Sequence, residues 1–385
     1  MGKRLAVIGG GPVGLCAALA AVERGLDVAV FERGVVGQAL LGWGPARLFS
    51  PFGMNVSASV RRLLGRDAPG EDALLTGPEM VENVLQPLAG REPLAGRVRT
   101  GCRVEGVARA GMTRTDFAGH PLRAERPFVL LVREEDAEQF LEFDAVLDAT
   151  GVADRPCGTG PGGLPARGEQ ALCTRILRGL GAVENRLPVL AGRRVLLVGS
   201  GHSAANALLW LQDLARAAPG TDVTWAVRSA NRRPVLEIAD DPLPERRRVA
   251  ASANALAESP PAWLRVERRA TVTAVANRGD GLQVSLSGGR KREYDEIAAL
   301  TGNRPDWRLA SELPIEISPS TEGTARLARA LTGVTDCLAV PAIEPADLQS
   351  GEPGFFAIGS KSYGRSRNFL LQSGLRQAEA VLSTL

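Results

Sequence analysis

Three glycines near the start of the chain have the spacing of a phosphate-binding turn. Gly9, Gly11 and Gly14 follow a short apolar run and form the pattern G-x-G-x-x-G. The first glycine of this pattern permits a tight turn, the second lets the backbone approach a pyrophosphate, and the third lets a helix pack on a strand. Glu32 follows at the distance where a carboxylate accepts hydrogen bonds from a ribose diol. These residues predict a dinucleotide site.

A second glycine pattern begins later in the chain. Gly199, Gly201 and Ala204 occupy its turn positions, with alanine as the permitted third member. The strand that follows ends at Arg228 instead of an acid. An arginine forms charge-assisted hydrogen bonds with a 2′-phosphate, which a carboxylate would repel. The second pattern therefore predicts an NADPH site, and the alternative is that Arg228 is a surface charge at a strand end.

Neighbouring residues are expected to complete this second site. His202 and Ser203 lie on the turn itself, and we expect His202 to line the cofactor site instead of acting as a general base. Residues that follow Arg228 are expected to assist it: Ser229, Arg232 and Arg233.

Strands and helices in alternation must position these residues. Each glycine pattern follows an apolar strand and opens an alanine-rich helix that leads to another strand. Further strand patterns lie at 99–107, 127–133, 139–147, 264–275, 282–286 and 294–300, and helices are expected at 203–217 and 368–384. The sequence predicts the α/β class, with two nested Rossmann-like domains that each hold a parallel sheet and a small antiparallel meander.

The repeat also predicts how the chain divides into domains. Residues 1–153 and 295–385 are expected to form one discontinuous dinucleotide-binding domain, and 170–294 a second that binds NADPH. The segment 154–169 is rich in proline and glycine and is interpreted as a linker.

Composition narrows the classes of partner. With 46 Lys and Arg against 43 Asp and Glu, the charge gives no argument for nucleic acid or membrane as a principal partner. The basic cluster 246–248 is interpreted as a solvated helix face. Five scattered cysteines without a C-x-x-C spacing predict neither a disulfide framework nor a structural metal. We expect a cytoplasmic protein, since no apolar run is long enough to span a membrane.

The two glycine patterns, the strand end Ala149-Thr150-Gly151 and a closing strand that ends at Gly359 together resemble the two-dinucleotide-binding-domain flavoproteins. The resemblance implies FAD on the first pattern and a nicotinamide cofactor on the second. Ser360 stands where that superfamily usually has an aspartate. The residues then expected to contact FAD are Gly9, Gly11, Gly14, Glu32, Thr150, Gly151, Gly359, Ser360, Asn368 and Phe369. Arg33 and Arg47 are further candidate cofactor contacts.

The run GSGHSA, followed by VTWAVRS, is similar to flavin-dependent monooxygenases that use NADPH. This implies oxygenation of a small nitrogen or sulfur substrate by O₂ through a hydroperoxyflavin. Asn55, in the loop 34–57, is the candidate catalytic residue beside the flavin, the alternative being a turn asparagine. The signature F-x-G-x-x-x-H of typical Baeyer–Villiger and amine monooxygenases is absent.

Other functions stay open on the sequence alone. No cysteine pair is placed to serve as a redox dithiol beside the flavin, so a disulfide reductase acting through its own dithiol is not expected. A reductase or oxidase could deliver electrons to a quinone, a metal centre, an external disulfide or O₂. A non-catalytic flavin- or nucleotide-binding module is a further alternative. The identity of the substrate is open, and a homo-oligomer is compatible with the sequence.

Overall fold

A computed structural model describes residues 2–385 of the chain. Its strands, in chain order, are β1 (Arg4–Ile8), β2 (Asp27–Phe31), β3 (Val98–Arg99), β4 (Cys102–Arg109), β5 (Phe128–Glu134), β6 (Ala137–Phe143), β7 (Ala145–Asp148), β8 (Ile176–Leu177), β9 (Arg194–Val198), β10 (Asp222–Ala226), β11 (Leu264–Glu267), β12 (Val272–Arg278), β13 (Gly281–Leu286), β14 (Lys291–Tyr294), β15 (Glu296–Ala299) and β16 (Phe355–Ala357). Its α-helices are α1 (Pro12–Glu23), α2 (Gln38–Leu41), α3 (Phe52–Asn55), α4 (Ala58–Leu64), α5 (Gly77–Met80), α6 (Gln86–Gly90), α7 (Leu180–Leu190), α8 (His202–Ala217), α9 (Pro244–Glu258), α10 (Ala325–Ala330), α11 (Ser360–Tyr363) and α12 (Leu371–Leu382).

The chain forms two compact units. The first unit comprises the residues up to Leu40 together with Ser50–Arg155 and Arg304–Leu385. The second unit comprises Leu41–Phe49 and Pro156–Asn303. Each unit is therefore assembled from segments that are distant in sequence.

The first unit is built on a parallel sheet with the strand order β16-β7-β1-β2-β3, and β4-β5-β6 form an antiparallel meander. Helix α1 begins at Pro12, whose ring fixes the backbone angle that the first helical position needs. Its buried face is rich in alanine, so the helix lies close to the sheet. It also packs closely on α12, where a Cβ added to Gly374 would lie 2.6 Å from the Val13 side chain.

The second unit repeats this plan. Its parallel sheet has the order β11-β10-β9-β15-β8, and β12-β13-β14 form its antiparallel meander. Helix α8 connects β9 to β10, and its buried Ala204, Ala205 and Leu208 pack in a core that also contains Trp225. The predicted α/β class, with parallel sheets and small antiparallel sheets, is confirmed.

Several predicted element boundaries were wrong. The segment 139–147 is two strands, because the chain leaves the meander at Phe143 and enters the parallel sheet at Ala145. Asp144 lies at this change, and its carboxylate accepts a hydrogen bond from the Arg4 backbone at 2.7 Å. The segments 264–275 and 294–300 divide in the same way, into β11 and β12 and into β14 and β15. The last helix begins at Leu371, so Asn368 precedes it.

The basic cluster on α9 is not wholly solvated. Arg246 is buried, and its guanidinium donates to both carboxylate oxygens of Asp241 at 2.6 and 2.7 Å. Only the neighbouring side chains Arg247 and Arg248 are exposed. The helical period places Arg246 on the inner face of α9, beside Val249 and Ala250. Because that face is buried, the charge of Arg246 needs an acidic partner.

A buried carboxylate organises the start of the second unit. Glu169 accepts hydrogen bonds from the Thr159 hydroxyl at 2.6 Å and the Ala166 amide at 2.6 Å, and it pairs with Arg178. Burial alone would raise the pKa of the Glu169 carboxyl, but these bonds outweigh burial and hold that pKa below its usual value. The proline- and glycine-rich segment is thus tied to one side chain.

No helix within residues 2–385 is long and apolar enough to cross a membrane. Over the same residues, no group of three or more His, Cys, Asp and Glu side chains is arranged to hold a metal ion.

We expect Glu169→Gln to lower the free energy of unfolding by about 2 kcal/mol at pH 7, since it removes charge-assisted bonds from a buried site. The pKa of Glu169 is lower in the folded than in the unfolded chain. The Glu169 carboxylate therefore contributes its full stabilisation at pH values above the unfolded-state pKa, and it loses this stabilisation as the pH falls through the folded-state pKa. The difference in free energy of unfolding between wild type and Glu169→Gln should therefore become smaller below about pH 4.

Denaturation followed by tryptophan fluorescence measures this effect, because Trp43, Trp210, Trp225 and Trp263 lie in the second unit. Glu138→Gln, at an exposed position of β6, is the control. If the difference in free energy of unfolding stayed constant from pH 7 into the acid range, the role assigned to the Glu169 carboxylate would be contradicted.

Candidate functional site

The first glycine turn joins β1 to α1 and touches the end of β7. Gly9 has a φ of +111°, and a Cβ added there would lie 2.7 Å from the Ala149 carbonyl oxygen. A Cβ added to Gly14 would lie 2.0 Å from the Gly9 carbonyl oxygen. Packing within the protein therefore requires glycine at both positions.

The middle glycines of the two turns are different. Gly11 and Gly201 have φ values of −85° and −83°, which any residue adopts. A Cβ added to either one would meet no protein atom within 4 Å. The fold does not require glycine at these positions, so each leaves room for something to lie against the backbone. Both precede the N-terminus of a helix, where free N–H groups favour an anion.

Glu32 is held beside the first turn. One carboxylate oxygen accepts a hydrogen bond from the Gly10 amide at 2.7 Å, and the other accepts from the Gly34 amide at 3.0 Å. A carboxylate has further acceptor capacity beyond these bonds. The side chain is thus fixed where a second donor, such as a hydroxyl, could reach it.

The ends of β7 and β16 lie at the same edge as this turn. A Cβ added to Gly151 would lie 3.4 Å from the Ser360 hydroxyl, and one added to Gly359 would lie 3.6 Å from Val13 on α1. The structure therefore brings together Gly9, Gly151, Gly359 and Ser360, which are far apart in sequence. Thr150 lies here too, but its amide and hydroxyl donate to the Asp148 carboxylate at 3.1 and 2.7 Å.

Two buried charged residues at this edge were not anticipated from the sequence. Asp148 ends β7, Lys361 follows β16, and their side chains form an ion pair with no exposure to solvent. Asp148 ends an apolar strand, but Lys361 lies in the polar run Ser360–Arg365, where a lysine indicates nothing unusual. Nothing in the sequence paired them, because 213 positions separate them.

The second glycine turn repeats the geometry of the first. Gly199 has a φ of +127°, and a Cβ added there would lie 2.2 Å from the Leu300 carbonyl oxygen. Ala204 occupies the third position and is fully buried. The buried Trp225 donates its indole N–H to the Gly199 carbonyl at 2.7 Å and so fixes the turn. Sequence reasoning missed this role, since a tryptophan in an apolar strand indicates only burial.

Arg228 is exposed just beyond the end of β10. Ser229 follows it and accepts a hydrogen bond from the Asn231 amide at 3.0 Å. Arg233, which we expected to assist Arg228, is instead bound to Glu237 at 2.6 Å and to Glu258 at 2.7 Å. Arg228 is therefore the better placed of the two arginines to meet a new anion.

His202 and Ser203 are the first residues of α8. The His202 ring packs edge-on against Phe49, with centroids 5.0 Å apart. Burial would raise the pKa of the Asp241 carboxyl, but hydrogen bonds from the Arg246 guanidinium and the Leu243 amide, together with the Arg246 charge, outweigh burial and lower it. His202 therefore lies at the second turn with its ring against Phe49, and it interacts electrostatically with the Asp241 carboxylate.

Asn55 is buried within the first unit. Its side-chain amide donates to the Ser50 carbonyl at 2.8 Å, and its amide oxygen accepts from the Ser50 hydroxyl at 2.6 Å. Both ends of the amide are thus engaged within the loop. The catalytic role of Asn55 stays a prediction.

The other predicted cofactor contacts have partners within the protein or are exposed to solvent. Arg33 pairs with Asp154, and Arg47 is exposed on a segment that belongs to the second unit. Asn368 donates to the Val334 carbonyl at 2.6 Å, and Phe369 packs edge-on against Tyr363. Their contacts with a cofactor remain predictions.

The five cysteines are all free thiols within residues 2–385. Burial raises the pKa of Cys16 to about 12, so this thiol does not ionise at neutral pH. Burial also raises the pKa of Cys102. Cys157 is buried, while Cys173 is exposed.

Several solved structures have a fold similar to that of this chain. The bacillithiol disulfide reductase Bdr (YpdA) of Bacillus cereus has a similar structure, with a TM-score of 0.71 and 18% identity over 100% of this chain and 98% of that chain. The ornithine N-hydroxylase of Kutzneria sp. 744 has a TM-score of 0.65 and 17% identity, over 100% and 99%. The cadaverine monooxygenase DfoA of Erwinia amylovora has a TM-score of 0.66 and 14% identity, over 99% and 94%.

At these identities the similarities show a common fold. None of the curated proteins matches the sequence of the chain. A family profile does match, over residues 3–324, which is most of the chain. The chain therefore belongs to the pyridine nucleotide-disulphide oxidoreductase family.

Proposed function

We propose that the protein is an NADPH-dependent FAD monooxygenase that oxygenates a small nitrogen- or sulfur-containing substrate. The observation that carries the proposal is the pair of middle glycines, Gly11 and Gly201. Neither is required by its backbone angle or by packing, and each leaves open space in front of a helix N-terminus. Two dinucleotides, each with its diphosphate on one turn, explain why both residues are glycine.

The residues that surround the first turn suit FAD. The diphosphate would lie against Gly11, and the Glu32 carboxylate would accept from the adenosine ribose. Ser360 and Gly151 border the same edge. When bound, FAD would accept a hydride from the nicotinamide and then react with O₂, chemistry that the side chains alone do not supply.

The second turn suits a phosphorylated nicotinamide cofactor. Its diphosphate would lie against Gly201, and the exposed Arg228 would meet the 2′-phosphate. A guanidinium binds phosphate with two parallel hydrogen bonds, which is the geometry that distinguishes NADPH from NADH. His202 and Ser203 would line the same site.

Oxygenation is favoured over reduction of a disulfide by an internal dithiol. The cysteines within residues 2–385 are free, and burial makes Cys16 a poor nucleophile. The structures of similar fold include an ornithine N-hydroxylase recorded with FADred, NADP+ and L-orn and a cadaverine monooxygenase bound to FAD. In the proposed reaction NADPH supplies two electrons, one oxygen atom of O₂ enters the substrate, and the other leaves as water.

Gly11→Ala and Gly201→Ala test the two cofactor sites separately. The first should weaken FAD binding at least about tenfold, and the second should do the same to NADPH while FAD stays bound, because each methyl group fills a space reserved for a diphosphate. Stability should be unchanged or raised by about 0.5 kcal/mol, since alanine tolerates both backbone angles.

Equilibrium titration of FAD and NADPH, with thermal unfolding alongside, measures these effects. Gly70→Ala, at an open surface position, is the matched control and should change nothing. Gly14→Ala should instead destabilise the fold, because its Cβ would lie 2.0 Å from a carbonyl oxygen. Unaltered affinity for both cofactors in the first two variants would exclude these turns as cofactor sites.

Arg228→Ala tests the choice of nicotinamide cofactor. It should weaken NADPH binding by about 10- to 100-fold and leave NADH binding almost unchanged, since the lost bonds join charged groups. The measurement is the dissociation constant of each cofactor. Arg233→Ala is the control, because that guanidinium is already bound to Glu237 and Glu258. Equal losses for NADPH and NADH would refute the 2′-phosphate assignment.

The fate of oxygen separates the monooxygenase from a reductase or oxidase. With a panel of small amines and thioethers, including ornithine and cadaverine, we expect a product that gains one oxygen atom from isotopically labelled O₂ for each NADPH consumed. Mass spectrometry and a peroxide assay measure both products. Recovery of all electrons as H₂O₂, or in an added quinone or disulfide, would favour the alternative enzymes. A protein that binds no FAD would exclude every one of these flavin reactions.

A further inference from the structure

The buried ion pair at the edge of the first unit, Asp148 and Lys361, lies outside both glycine patterns. Asp148 and Lys361 have side chains with no exposure, and each comes from a different strand end. Buried charges are costly unless they are paired and hydrogen-bonded. A pair of apolar residues would fill the same space without that cost, so the charges call for another explanation.

Thr150 forms hydrogen bonds with both members of the ion pair. One Asp148 oxygen accepts from the Thr150 amide and hydroxyl, and the other accepts from the Lys361 ammonium. The ammonium also donates to the Thr150 hydroxyl at 3.0 Å and lies 4.9 Å from the centre of the Trp307 ring. Asp148 thus fixes the direction of the strand end, and Lys361 balances its charge.

The carboxylate lies close to the first glycine turn. In the parallel sheet Asp148 is paired with Ile8, the residue directly before Gly9. The next residue, Ala149, presents the carbonyl that Gly9 approaches. An unbalanced carboxylate at this point would repel a diphosphate bound at the turn, because such repulsion is poorly screened in a buried site.

We infer that Lys361 is a positioning residue of the cofactor site. It neutralises Asp148, so that Asp148 can hold Thr150 beside the glycine turn without repelling the diphosphate of the cofactor. The inference rests on the proposed function, since the anion concerned is that of FAD. It predicts that charge, more than the shape of the lysine, determines the affinity for FAD.

A double-mutant cycle separates charge from shape. Lys361→Met leaves the Asp148 charge unbalanced and should weaken FAD binding by about tenfold. Asp148→Asn keeps an acceptor for the Thr150 amide, removes the negative charge and leaves the Lys361 ammonium near the bound diphosphate, which it would attract. Affinity in this variant should stay within about threefold of wild type or rise. The double variant, which is neutral, should regain most of the affinity that Lys361→Met alone loses.

The readout is the dissociation constant of FAD for the apoprotein, with apoprotein thermal unfolding measured for each variant. Lys361→Gln keeps a hydrogen-bond donor toward Asp148 and replaces the methionine variant if that one does not fold. A merely structural pair predicts that Asp148→Asn weakens FAD binding as much as the lysine variants do and that the double variant restores nothing. That result overturns the inference.

Three further outcomes distinguish this inference from the proposed function. Unchanged FAD affinity in the lysine variants, with FAD bound normally by the wild type, overturns the role of Lys361 and leaves the proposed function intact. A wild-type chain that binds no FAD overturns both. The third outcome is that FAD binds normally and the double-mutant cycle gives the predicted affinities, but no oxygen is transferred to a substrate. This result overturns only the monooxygenase proposal.

Discussion

The first unit depends on the close approach of two backbones at the glycine turn. The turn after β1 passes the end of β7 so closely that a Cβ on Gly9 would lie 2.7 Å from a carbonyl oxygen. Gly14 allows the helix to meet the same turn. This contact brings the N-terminus of α1 to the edge where β7 and β16 end, and the candidate site is made of what meets there. In the second unit Gly199 approaches the Leu300 carbonyl in the same way, and Trp225 donates a hydrogen bond to this turn.

The two turns separate glycines that serve the fold from glycines that serve a ligand. Gly9, Gly14 and Gly199 are required by backbone angle or by contacts within the protein. Gly11 and Gly201 have ordinary angles and empty surroundings, so their identity is explained by what binds. The same distinction applies to charges. Arg246 and Glu169 are satisfied within the protein, whereas Arg228 is exposed at a strand end.

The buried pair of Asp148 and Lys361 shows how a site can depend on residues that no motif contains. Neither lies in a glycine pattern, and each is unremarkable beside its neighbours in sequence. Their meeting follows from the pairing of β16 with β7, which aligns Ala357 with Asp148. Lys361 is four residues beyond Ala357, in α11, and its ammonium reaches the Asp148 carboxylate. A pair of this kind determines the electrostatics of the edge without any contact that a sequence pattern records.

The sequence by itself determined the α/β class, the two glycine turns and the different residues at the two strand ends, Glu32 and Arg228. These are local features, because a turn and its helix are specified by a few consecutive residues. It misplaced the boundaries between β6 and β7 and between β11 and β12, since consecutive apolar strands do not reveal which sheet each one joins. Only the tertiary structure decided that Arg246 is buried, that Arg233 is engaged and that Lys361 pairs with Asp148. Those outcomes depend on contacts between distant segments, which strand pairing and core packing select together.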